Sequence, residues 1–262
     1  MRFGICCGAA RFPRMKELGY DYIEAGFNSV VKMTDEEYEE YVKAVTDSGM
    51  KVETCNGFFG PDTFIVGPDA DISFLPEYVE KGMQRVAPLG CEVVVLGSGK
   101  ARNIPEGFDR ETGEKQFMEV LTVAADIAEK YGIKIAIEPL KAVETNLINT
   151  VQECLDTVRR SGRKNVGALA DFHHVFMSGE TMEAIENAGG LLFHTHLARA
   201  NKDRQMPVEP EDLEACKIWA NALKKCGYNG RMSLEGRFKP DFNITVEKVL
   251  PALKLFNDIV NG

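Results

Sequence analysis

One local pattern recurs seven times along the chain: an amphipathic stretch closes on a glycine, and an apolar, β-rich run follows at once. The sites are LGYDYIEA at Gly19, SGMKVETC at Gly49, LGCEVVVL at Gly90, YGIKIAIE at Gly132, SGRKNVGALAD at Gly162, AGGLLFHTH at Gly189 and CGYNGRMSLE at Gly227. Successive gaps run from 27 to 42 residues. Glycine takes the left-handed conformation that ends a helix without a Cβ clash, so each site predicts a helix stop feeding a strand. The opening run FGICCG brings the number of predicted strands to eight.

The intervening segments read as helices. Thr34 followed by Glu37 is a capping-box signature, and Tyr38, Tyr41, Val42 and Val45 then repeat at helical spacing. Between Asp109 and Tyr131, the residues Phe117, Val120, Leu121, Ala124, Ile127 and Ala128 keep one apolar face. Leu213, Cys216, Trp219 and Leu223 do the same before Gly227. In the last helical segment, Pro251 must either kink a helix or start one. The strands are continuous apolar runs such as VVVL and IAI, the pattern of parallel strands covered on both faces. Eight βα units in 262 residues predict an α/β chain folded as one (β/α)8 TIM barrel domain over residues 1–262. A doubly wound sheet is the competing architecture. It usually carries a glycine-rich phosphate loop after an early strand, and GSGKAR after the fourth strand lacks that spacing.

Composition narrows the function. Apolar residues at 44% with 27% charged exclude wholesale disorder. A net charge of −9 argues against a long nucleic acid as partner. No apolar run approaches the roughly 18 residues of a membrane span. MRFGICCGAA lacks the features of a signal peptide, and seven cysteines without paired spacings suggest reduced thiols. A cytoplasmic protein is the expectation.

Barrel active sites lie at the C-terminal strand ends, and here those ends are polar. Strand five ends IAIEPL with Glu138; strand six ends ALADFHH with Asp171, His173 and His174. Strand seven ends LFHTHL with His194 and His196, which point the same way, and strand eight ends MSLEGR with Glu235. A carboxylate following an apolar strand core is costly unless it is paired or metal-bound. Two Glu, one Asp and one His from four neighbouring strands can converge on one divalent cation. That donor set suits Mn²⁺ or Mg²⁺, with Co²⁺ or Zn²⁺ also possible. The structural alternative for each residue alone is an internal hydrogen bond.

These residues, in this order, resemble the xylose isomerase-like barrel superfamily, and in particular its sugar isomerase/epimerase branch, which includes the D-tagatose and D-psicose 3-epimerases. The resemblance covers the whole chain and rests on IEPL with ETNLINT, then DFHH, HTHL, SLEGR and GSGKARNIPEGF. It implies that Glu138, Asp171, His196 and Glu235 hold the metal, Mn²⁺ first among the candidates. It implies that Glu138 and Glu235 double as the acid/base pair, and that Glu144, His174 and an arginine hold substrate hydroxyls. For the arginine, Lys202 fits by spacing and Arg204 by its Arg-x-x-Pro context; Arg204 is preferred. The implied reaction is proton abstraction beside a carbonyl through a metal-stabilised enediolate, giving epimerisation or aldose–ketose isomerisation. Homodimers or tetramers are implied as well.

Some features depart from the pattern. Lys141, Ala142 and Val143 replace the epimerases' Asn-Arg-aromatic stretch, and PVEPED replaces a Pro-Gly-x-Gly element. Lys32, Lys100, Arg102, Lys141, Arg199, Lys202, Arg204, Arg237 and Lys239 fall in the predicted upper loops, which raises an anionic sugar as substrate or, alternatively, solvated rim charges. Glu24 is a candidate supporting or substrate contact, and His173 and His194 candidates for orienting the ligands. Cys55, Phe58, Phe59 and Phe108 are candidates for the cavity wall. Three rivals follow from the same residues. A dehydratase acting on a keto-inositol type of polyol shares the proton abstraction. A sugar-binding barrel without catalysis needs no Glu138–Glu235 pair. A multi-zinc phosphodiesterase needs more than four histidines.

Overall fold

All seven predicted stop glycines take the left-handed conformation, with φ from 55° at Gly189 to 94° at Gly90. The computed structural model describes residues 1–262. Its eight strands are β1 (Arg2–Cys6), β2 (Tyr22–Gly26), β3 (Val52–Asn56), β4 (Val93–Leu96), β5 (Lys134–Ile137), β6 (Val166–Asp171), β7 (Leu192–Leu197) and β8 (Arg231–Leu234). Each pairs in parallel with its neighbours in chain order, and β8 pairs with β1 to close the barrel. The barrel reading therefore holds over the doubly wound alternative.

The helix signals operate as expected. Thr34 Oγ1 accepts from the Glu37 backbone N–H at 3.2 Å, while the Glu37 carboxylate accepts from the Thr34 N–H at 2.8 Å, opening helix Asp35–Ser48. Asp109 caps the long helix Arg110–Lys130. Pro251 starts a helix: Phe242–Lys248 ends at Val249, and Leu250–Asn261 begins with the proline in its first turn, where the missing N–H is no loss. No helix is long and apolar enough to cross a membrane.

The apolar core lies mostly between barrel and helices. Sixty-nine buried residues form that layer, against four inside the barrel (Val93, Val95, Ala136 and Leu169, capped by Phe193). The upper barrel interior is thereby left to polar side chains. One irregularity decides which. Ile23 pairs with Val52 but Glu24 pairs with Thr54, so Glu53 is an extra residue in β3. Beyond this bulge Thr54 and Asn56 reach inward, where they bond Glu24 and Glu235. Cys55 instead joins the outer core, 3.9 Å from the Cys91 thiol, and does not line the cavity. Glu53 closes the opposite mouth of the barrel against Arg2 and Arg231.

Candidate metal and substrate site

Glu138 follows β5 directly, Asp171 ends β6, His196 lies near the end of β7, and Glu235 follows β8. One donor atom from each falls within 4.8 Å of all the others. Nδ1 of His196 is the hub, at 2.9 Å from Glu235 Oε2, 3.2 Å from Glu138 Oε1 and 3.7 Å from Asp171 Oδ2. Asp171 and His196 are fully buried, whereas the Glu235 side chain keeps 25% of its surface, so the cluster opens on the β8 side.

Neighbours fix each of these groups. Asp171 caps helix Phe172–Ser178, its Oδ1 accepting from the N–H groups of His173 and His174 at 2.8 and 3.1 Å. Oδ2 is left to face the cluster. Glu24 on β2 accepts from Nε2 of His196 at 2.8 Å, directing Nδ1 toward the carboxylates. The other Glu24 oxygen lies 2.8 Å from His194 Nε2 and accepts from Thr54 at 2.8 Å. His194 thus acts on His196 through Glu24. His173 approaches the Lys141 ammonium at 3.4 Å and reaches Asp171 only through its backbone.

Two residues near Glu138 carry roles the sequence reading did not assign. Arg102 is no rim charge: it is buried and donates to the backbone carbonyls of Leu96 at 3.2 Å and Glu138 at 2.6 Å. Burial pulls its pKa down to about 10. Gly97 gives the Glu138 carboxylate room, since a Cβ there would lie 2.3 Å from Oε2.

Of the expected substrate contacts, Arg204 and His174 meet at the cluster. The Arg204 guanidinium bonds Asp171 and Glu235 and lies 3.1 Å from His174 Nε2, while Lys202 is exposed. Arg204 holds φ at 49°, an uncommon conformation for a side-chain-bearing residue. Its carbonyl accepts from the Arg237 N–H at 2.7 Å, and a Cβ on Gly236 would lie 2.4 Å from that oxygen. Glu144 stands apart, exposed and paired with Lys141 at 3.0 Å. Arg199 is held by Asp212 at 2.5 Å. Among the nine cations, only Lys32, Lys100, Lys202, Arg237 and Lys239 remain exposed without an acidic partner. Phe58 and Phe59 pack with Phe27, Phe74 and Tyr78 in an aromatic cluster. Phe108 packs against the outer core.

Burial and charge separate the carboxyls. Burial pushes Glu138 up, beyond the opposing pull of His196. Burial acts the same way on Glu235, but His196 and Arg204 outweigh it and hold that carboxyl below its ordinary range. For Asp171, burial is outweighed by Arg204 and His174, and the carboxyl stays well down. Burial opposes charge on His196, yet Glu24 and Glu235 raise it well above a free imidazole. Three carboxylates around one imidazole form a hard, anionic donor set, which fits a divalent ion.

A (β/α)8 barrel with its acidic cluster at the C-terminal strand ends defines the class. The sequence profile of the xylose isomerase-like TIM barrel matches residues 12–251, and the chain belongs to that family. It is 25% identical to the D-psicose 3-epimerase of Agrobacterium fabrum, over 95% of this chain and 84% of that protein. The inosose isomerase of Bacillus velezensis is 32% identical over 55% of this chain, and the match spans about half of that protein, 54%. The 3-dehydro-D-guloside 4-epimerase of Escherichia coli is 24% identical, covering 88% of this chain and 87% of that protein. Among solved structures, D-psicose 3-epimerase with D-tagatose from Clostridium cellulolyticum H10 has a TM-score of 0.83 at 20% identity, covering 99% of each chain. The IolI protein with a bound zinc atom gives 0.73 at 23% identity, over 100% of this chain and 98% of that one. These two structural likenesses carry the fold.

Proposed function

We propose that this chain, acting as a single domain over residues 1–262, is a divalent-metal-dependent sugar isomerase or epimerase of carbohydrate metabolism. The observation that carries the reading is the convergence of Glu138, Asp171, His196 and Glu235 within 4.8 Å. These four hold the ion, with Mn²⁺ first and Mg²⁺, Co²⁺ or Zn²⁺ as alternatives. Bound there, the ion supplies Lewis-acid polarisation of a substrate oxygen. Glu235 and Glu138 form the acid/base pair: one takes the proton from the carbon beside the carbonyl and the other returns a proton. Such steps contribute about 10² to 10⁴-fold each.

His174 and Arg204 orient the substrate hydroxyls, and Glu144 closes on them from the loop after β5. The substrate is a small keto sugar, with an inosose in range through the Bacillus relatives. The sugar is neutral or anionic: Arg102, Lys141 and Arg199 are engaged by protein acceptors, whereas Lys32, Lys100, Lys202, Arg237 and Lys239 are exposed without an acidic partner. The protein works in the cytoplasm as a homo-oligomer, without a nucleic-acid or membrane partner.

The test is solvent deuterium exchange. With Mn²⁺ in deuterated water, the protein is incubated with ketohexoses and inososes and the products are followed by NMR. Deuterium entering the carbon next to the carbonyl is expected, and its loss in Glu235→Gln with a native-like circular dichroism spectrum. Exchange unaffected in both Glu138→Gln and Glu235→Gln would refute the assigned roles, and a dehydrated product would identify the lyase.

A further inference from the structure

Three of the four clustered donors have evident supports: Asp171 takes two backbone N–H groups, His196 leans on Glu24, and the backbone of Glu138 is pinned by Arg102. Glu235 is the most exposed of the four and lies past the last residue of its strand; its Oε2 is bonded only from the substrate side, by Arg204 and His196, and Oε1 is left to the barrel wall. A long carboxylate in that position has the most rotamer freedom to lose on binding an ion.

We propose that Asn56, at the end of β3, is the positioning residue for Glu235. This rests on the metal-site reading above. Asn56 Nδ2 donates to Glu235 Oε1 at 3.0 Å and lies 3.4 Å from the Cys6 sulfur. The two N–H bonds of one amide nitrogen are therefore directed at one carboxylate oxygen and one thiol, which sets the plane of the amide. The reverse orientation would aim the amide carbonyl at a carboxylate and repel it. With Oε1 held by Asn56, Oε2 points toward His196 Nδ1, 2.9 Å away, on the side where Glu138 and Asp171 converge.

The arrangement depends on the bulge at Glu53. Were β3 regular through all five residues, alternation from the outward-facing Val52 would turn position 56 outward and leave Cys55 on the inner face. A thiol is a weak donor and would hold a carboxylate poorly. The irregularity in β3 thus places an amide where this carboxylate needs a donor. Asn56 touches neither the other three donors nor any group assigned to the substrate, so its action runs through Glu235.

The experiment is calorimetric titration of metal-free protein with Mn²⁺ for the wild type, Asn56→Leu and Asn56→Gln, with thermal unfolding of each metal-free protein recorded in parallel. Leucine matches asparagine in shape without a donor; glutamine keeps the donor on a longer arm. The expected result is an affinity loss of about 10 to 100-fold in the Leu variant, the range for outer-shell partners of metal ligands, with substantial recovery in the Gln variant. Wild-type affinity in Asn56→Leu would overturn the proposal. A Gln variant as weak as the Leu variant would assign the loss to packing and also overturn it. Wild-type protein that binds no divalent ion would instead remove the metal-site reading itself, and with it this role.

Discussion

Glu24 Oε1 and His196 Nε2 lie 2.8 Å apart in a part of the barrel interior closed to solvent. A carboxylate there fixes both the ring orientation and the tautomer, leaving Nδ1 as the donor toward an ion. Glu24→Gln keeps the shape but removes the charge. Its expected effect is an affinity loss for Mn²⁺ of about 10 to 100-fold by calorimetric titration, the range for such outer partners. Unchanged affinity would detach Glu24 from the metal site.

Gly97→Ala separates site from scaffold. The added methyl would meet the flexible end of the Glu138 side chain, and φ at Gly97 is not in the left-handed region. The fold should therefore lose only the cost of local overpacking, about 1–3 kcal/mol, while the carboxylate is displaced. Misplacement of about 1 Å can cost roughly 100-fold in turnover. Paired thermal unfolding and deuterium-exchange rates check this; a large fall in Tm with a normal rate per folded molecule would be the contrary result.

The pH dependence has a defined sign. In the metal-free chain His196 is raised well above a free imidazole, because Glu24 and Glu235 outweigh its burial. The stability this contributes is fully present below the unfolded value, about 6.5, and is lost as pH rises through the folded value. Glu138, raised by burial, acts in the same direction. Metal binding needs Nδ1 unprotonated and so strengthens as pH rises. The increase in Tm on adding Mn²⁺ should be larger at pH 8 than at pH 6, as thermal scans with and without metal would read directly. An increment that shrinks with pH would contradict His196 as a ligand.

The barrel was legible because its punctuation is local: a glycine such as Gly49 or Gly227 ends its helix whatever the tertiary context, and the next strand follows within a few residues. The candidate ligands were legible because a carboxylate after an apolar strand core, as in IAIE, stands out chemically. What escaped depends on register and depth. The bulge at Glu53 leaves no mark in one sequence, so plain alternation points Cys55 at the cavity and gives Asn56 no signal. Arg102 looked like a loop cation because its carbonyl partners at Leu96 and Glu138 come together only once β4 and β5 are side by side. Glu24 was visible as a candidate, but its bonds to two histidines of β7 exist only in the closed barrel.

The central claim is that Glu138, Asp171, His196 and Glu235 form one divalent-metal centre. Elemental analysis of protein purified without chelator or nickel affinity resin, after incubation with Mn²⁺ and removal of excess ion, tests it most directly. The account predicts about one divalent ion per chain in the wild type and a marked loss in a folded His196→Leu variant. No bound ion in the wild type, or full occupancy in that variant, would contradict it.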